Sequence, residues 1–101
     1  MAKTYRLAIV TPKGKIFDAD VEFLSAPGQE GSFGVLPGHA PMLNLLRPGV
    51  LKVRGEGQER FFAVSRGVLE INPERRVMIL ADKAVPCASE DAAKREQASK
   101  N

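Results

Sequence analysis

The 101-residue sequence holds no tryptophan and only one cysteine, one tyrosine and one histidine, and it has no long apolar run. Each scarcity excludes something. A helix that crosses a bilayer needs about 20 consecutive apolar residues, and no stretch comes near this. The opening Met1-Ala2-Lys3-Thr4-Tyr5-Arg6 lacks the apolar core of a signal peptide, so the chain is expected in the cytoplasm. Cys87 has no second cysteine with which to form a disulfide or a zinc site, which fits a reducing compartment and a role as a small filler. His39 alone has an ordinary pKa near neutrality, so a nucleophile, base and orienter cannot be assembled around it in any recognisable pattern. Ser32 is close in sequence, but Gly31-Ser32-Phe33-Gly34 is not a nucleophile elbow. Gly28, Gly31, Gly34 and Gly38 lead to no G-K-[ST] and open no helix, which makes them turn residues rather than a phosphate cradle. The acidic residues show no calcium-loop spacing. No catalytic residue, cofactor or metal is expected.

Apolar residues make up 44% of the chain and charged residues 27%, the balance of a folded globular domain. At this length one core is expected, burying roughly two-thirds of the unfolded surface. The net charge of +3 is spread along the chain and reads as a solvated surface.

The period of the apolar residues is two over most of the chain. Tyr5, Leu7 and Ile9 alternate with Arg6, Ala8 and Val10, and Thr11-Pro12-Lys13-Gly14 closes the strand. Val21 to Ser25 continues as strand, with Asp18 and Asp20 marking a bend or an exposed edge. Ala26 to Gly31 is a loop by composition. Phe33 to Leu43 holds two glycines, two prolines and the histidine, and is expected to be a shaped loop in which Gly38 takes a tight-turn backbone and Leu36 and Ala40 are extended before prolines. Val50 to Arg54 and Gln58 to Ser65 form the clearest hairpin around Gly55-Glu56-Gly57. Val68 to Ile71 follows, and Val77 to Ala81, nearly continuously apolar, belongs near the centre of the sheet packing.

From Ser89 the pattern becomes helical. Ser89 is a fit N-cap, Glu90 and Asp91 suit the first turn, and Ala92 to Ala98 are strong helix formers. The helix has almost no apolar stripe and should fray unless something outside the chain covers it. The expectation is a mainly β fold, a sandwich or flattened barrel over residues 1–86, with a short helical tail over 87–101.

A basic β-barrel with exposed aromatics also fits a small OB-like single-stranded nucleic-acid binder, with Phe61, Phe62, Phe33 and Tyr5 as stacking candidates. Most of these occupy alternating apolar positions, where core packing is commoner, and Asp18, Asp20, Glu56 and Glu59 interrupt the basic surface.

The segment Gly31-Ser32-Phe33-Gly34-Val35-Leu36-Pro37-Gly38-His39-Ala40-Pro41 closely resembles the epsilon subunit of bacterial F-type ATP synthases, whose hallmark is this loop. Leu46-Arg47-Pro48-Gly49, Ser65 to Ile71 and Ile79 to Ala84 follow in the order and spacing of that family, so the resemblance covers Lys3 to Val85. It implies a ten-stranded β-sandwich followed by helices. It implies a rotor subunit of the central stalk, without an active site, that docks the gamma subunit onto the c-ring and supports the coupling of proton or sodium flow to ATP synthesis. The implied place is the cytoplasmic face of the bacterial inner membrane, touched only through the ring. Nucleic acid is no partner in this picture. Residue by residue, His39, Ala40, Pro41, Met42 and Leu43 match a gamma-facing surface, and Glu30, Gly31 and Ser32 match a ring-facing edge. The family's inhibitory helical hairpin is longer than the fourteen residues that follow Cys87, and Glu90-Asp91-Ala92-Ala93-Lys94-Arg95 keeps only the acid and a basic residue of the ATP-binding motif of some members. Neither hairpin inhibition nor ATP binding is therefore expected.

Overall fold

The computed structural model describes residues 3–98. Its strands are β1 (Tyr5–Thr11), β2 (Gly14–Val21), β3 (Phe23–Gly28), β4 (Gly31–Val35), β5 (Met42–Leu46), β6 (Gly49–Gly55), β7 (Gln58–Val64), β8 (Gly67–Ile71), β9 (Val77–Ala81) and β10 (Ala84–Cys87), followed by helix α1 (Glu90–Ala98). They form one sheet in the order β10-β7-β6-β3-β5-β8-β9-β1-β2, with β4 added to β3. All pairings are antiparallel except β1 with β9. The sheet folds back on itself so that β2 meets β6 and β1 meets β10. The two layers so formed match the expected mainly β sandwich with a C-terminal helix.

The period-two pattern explains the core. Leu7 and Ile9 on β1, Leu69 and Ile71 on β8, and Val77 and Ile79 on β9 all point inward and meet Leu24, Leu51, Val53, Phe62 and Val64 from the other layer. Phe17 of β2 meets Phe62 of β7 edge to face, with centroids 5.7 Å apart. Tyr5 is buried with them, and its hydroxyl donates to the Val35 carbonyl at 2.8 Å, while burial pushes its phenol above the ordinary value.

Three expectations are corrected. Ala26 to Gly31 is not a loop: β3 runs through Pro27 to Gly28, which pairs with Gly31, and only Gln29 and Glu30 make the turn. Proline lacks the ladder's N–H, but the Pro27 carbonyl still takes part in the sheet, accepting from the Arg47 N–H at 2.9 Å. Phe33 to Val35 likewise belongs to β4, which narrows the shaped loop to residues 36–41. Of the two readings of Asp18 and Asp20, the exposed edge holds: both face outward on the edge strand β2, where Asp18 pairs with Lys15 at 2.7 Å and Arg6 at 2.8 Å. The Lys15 and Arg6 contacts hold the Asp18 carboxyl below its ordinary value, and such charges blunt a sheet edge. Finally, α1 does not depend on an outside cover, since it lies against β6, β7 and β10 with Ala93 fully buried. A methyl-sized side chain lets the helix backbone sit close to the sheet, so one residue does the work of an apolar stripe. Ser89 caps it as expected, accepting from the Ala92 N–H at 3.1 Å.

The β6–β7 turn is of type I′, with Glu56 at φ 53 and Gly57 at φ 73 between the paired Gly55 and Gln58. A left-handed backbone disfavours glutamate more than asparagine. Glu56→Asn is therefore expected to raise the urea midpoint, by about 0.5 kcal/mol of added stability.

Candidate functional site

The proline-rich loop is built around one turn. Leu36, Pro37, Gly38 and His39 form it, with the His39 N–H donating to the Leu36 carbonyl at 3.2 Å and Gly38 at φ 84. Proline at the second position and a glycine of positive φ at the third define type II geometry. The His39 ring is then held by its Nδ1, 2.9 Å from the Ala40 carbonyl. A carbonyl only accepts, so Nδ1 is the donor in this contact. Ala40 and Pro41 are exposed beside it.

The candidates after Pro41 divide. Met42 packs against the core, whereas Leu43 turns out to solvent. Leu43 is the start of a larger surface that the residues of the loop did not announce. Leu36, Leu43, Leu45, Met78 and Leu80 are 61, 69, 50, 42 and 47% exposed, which is unusual for side chains of this size gathered in one place. The register shows how four of them come together. Leu43 lies opposite Glu70, Glu70 opposite Met78, and Met78 beside Ala8. One row along, Leu45 lies opposite Val68, Val68 opposite Leu80, and Leu80 beside Val10. The outer face of β5-β8-β9-β1 thus carries two apolar rows, continuous with the His39 loop. A signal for it was present: Val77 to Ala81 has no polar residue in either phase of its alternation, so both of its faces ask for cover. β9 does lie inside the sheet order, between β8 and β1, but the fold covers only one of its two faces.

Glu30, Gly31 and Ser32 sit at the other end of the sandwich. β4 carries the chain from the Gln29-Glu30 turn up to the His39 loop, and β5 brings it back to Leu46, which pairs with Gly28. Glu30 and Ser32 are exposed, and Gly31 holds φ 128, a backbone that suits glycine. The five residues of β4, at about 3.3 Å each, set the hairpin tip and the His39 loop roughly 17 Å apart.

The stacking candidates for nucleic acid are not presented. Phe62 and Tyr5 are buried and Phe33 packs against the core, which leaves Phe61 half-buried without a neighbouring platform. Among the described residues no group of three or more histidine, cysteine, aspartate or glutamate side chains is arranged to hold a metal ion.

Comparison with known proteins follows the same lines. A family model described as the ATP synthase, Delta/Epsilon chain, beta-sandwich domain matches residues 4–87. An ATP synthase epsilon chain of Herminiimonas arsenicoxydans is 39% identical over 100 residues, covering 97% of this chain and 71% of the relative. Another, of Pelotomaculum thermopropionicum, is 43% identical over 96 residues, covering 95% of this chain and 71% of the relative. Among solved structures, a chain of the Euglena gracilis mitochondrial ATP synthase, resolved with OSCP, F1 and c-ring, superposes with a TM-score of 0.80 at 29% identity. The match covers 94% of this chain and 61% of that one. A chain of the Tetrahymena thermophila mitochondrial ATP synthase central stalk and c-ring shares the fold, with a TM-score of 0.71 at 18% identity over 82% of this chain and 66% of that one.

Proposed function

The chain belongs to the ATP synthase delta/epsilon chain β-sandwich family, and on that premise we propose that it serves as a non-catalytic rotor subunit of the central stalk of an F-type ATP synthase. In this role it docks the gamma subunit onto the ring of c subunits and supports the coupling of ion flow to ATP synthesis. It sits peripherally on the cytoplasmic face of the bacterial inner membrane and reaches the membrane only through the ring. The sandwich, within residues 1–86, is the docking unit, and the segment from residue 87, which carries α1, is its tail; residues 1–2 and 99–101 lie outside the described residues.

The observation that carries this reading is the exposed apolar face. Leu43, Leu45, Met78 and Leu80 stand out of a sandwich whose core is already closed, so their stability is gained only against a partner. Removing the remaining exposed area of each is worth roughly 1 kcal/mol, which makes the face sufficient to anchor an interface. We assign gamma to this face together with His39, Ala40 and Pro41, and the ring to Glu30, Gly31 and Ser32 at the opposite end. Met42 supports the gamma surface from beneath.

The test is capture by immobilised gamma subunit and, separately, by a c-ring complex that contains gamma. The double variant Leu43→Asp plus Leu45→Asp is expected to lose at least nine-tenths of its capture by gamma, on the order of a tenfold effect or more. Glu30→Lys is expected to keep capture by gamma and to weaken retention on the ring complex. Capture of the double variant at the wild-type level would sink the assignment of this face.

A further inference from the structure

Glu70 stands out on the apolar face. Its strand neighbours across the sheet are Leu43 on one side and Met78 on the other, with Val68 two residues before it on the same face. It is exposed, and no ion pair or side-chain hydrogen bond engages its carboxylate within the described residues. Three cations, Arg6, Lys15 and Arg76, line the same groove of about 620 Å³. Arg6 and Lys15 are committed to Asp18 and Asp20. Arg76 lies two residues along the register from the Glu70–Met78 pair, held opposite Asn72 by the Asn72 N–H to Arg76 carbonyl bond of 3.0 Å.

A partner that covers Leu43 and Met78 must cover the carboxylate between them. Taking an ionised carboxylate out of water without a counter-charge costs several times what burying one leucine yields. The apolar face is therefore a poor docking surface for a purely apolar partner and a selective one for a partner that brings a cation to this position. Resting on the docking assignment above, we infer that Glu70 is the selector of this face and receives a lysine or arginine side chain projecting from the otherwise apolar surface of the partner. The leucines and methionine supply contact area, and Glu70 sets the register in which they meet.

The experiment measures binding of the full chain to gamma subunit by titration calorimetry at two salt concentrations. Glu70→Gln is expected to weaken binding on the order of 30-fold and to flatten its salt dependence, and Glu70→Lys to weaken it further. Replacing the partner's basic residue with glutamate should restore binding to Glu70→Lys. Arg76→Gln is expected to stay within about threefold of wild type. Thermal melting of all three variants should match wild type, because these side chains are exposed.

If Leu45→Asp loses binding while Glu70→Gln keeps it, the face docks gamma but Glu70 selects nothing, and this inference is overturned. Should both variants bind like wild type, the docking assignment itself fails. If Arg76→Gln weakens binding as much as Glu70→Gln, and the double variant is no weaker than either, then Arg76 neutralises Glu70 within the chain and the inference is likewise overturned.

Discussion

Leu80→Asp is expected to fold with wild-type stability, within about 0.5 kcal/mol, and to lose gamma binding on the order of 100-fold. Its neighbour Ile79→Ala is expected to do the reverse. Leu80 is half-exposed on the outer face of β9, while Ile79 is fully buried on the inner one. Aspartate at 80 is hydrated in the free subunit and meets its cost only when docking strips the water from an unpaired carboxylate. Alanine at 79 removes buried volume that the surrounding Leu69, Leu7 and Ile9 cannot refill, a loss of about 2–5 kcal/mol. For a domain of this size that lowers the melting temperature by roughly 10 °C or more. Paired measurements of melting and gamma binding on the two variants separate the faces. If Leu80→Asp melted early as well, the outer row would belong to the core and not to an interface.

Gly67→Ala is expected to cost about 3 kcal/mol, the upper end of what overpacking usually costs, although alanine suits a strand no worse than glycine. Gly67 begins β8 between Leu46 on β5 and Ala81 on β9. A Cβ at this position would overlap the Leu80 carbonyl oxygen and lie 3.1 Å from both the Cα and the Cβ of Ala81. These are backbone atoms or are fixed to backbone, so no rotamer change relieves them, and the β8–β9 ladder must open. Gly38→Ala provides the contrast. There a Cβ meets open space, and the cost, about 1 kcal/mol, comes only from φ 84. Equilibrium unfolding in urea ranks the two, and a Gly38→Ala loss equal to that of Gly67→Ala would contradict the close approach.

Much of the fold was legible because period two is a local property. Tyr5, Leu7 and Ile9 had to share a face wherever the strand ended up, and Gly55-Glu56-Gly57 between two alternating runs was bound to be a hairpin. Pro37-Gly38 carried its own turn type. Misreadings arose where composition and context disagree. Pro27 and Gly28 look like loop residues, yet a proline whose carbonyl is in use and a glycine beside the ring of Phe33 fit a strand. For α1, an apolar stripe was the wrong thing to look for, because close packing on a sheet needs only one alanine.

The candidate site divides in the same way. The Glu30 to Ser32 tip and the His39 to Pro41 turn could be named from residues alone, since glycine and proline set backbone geometry without help from the rest of the chain. That they lie at opposite ends of the sandwich follows from the β3-β4-β5 path, and that Met42 faces the core while Leu43 faces out follows from pairing with β8. An alternating strand states which residues share a side, but not which side is covered. Coverage depends on neighbours distant in sequence. Leu45, Met78 and Leu80 became a surface, and Glu70 its acidic mark between Leu43 and Met78, only when β5, β8 and β9 were brought into register with none of the described residues laid over them.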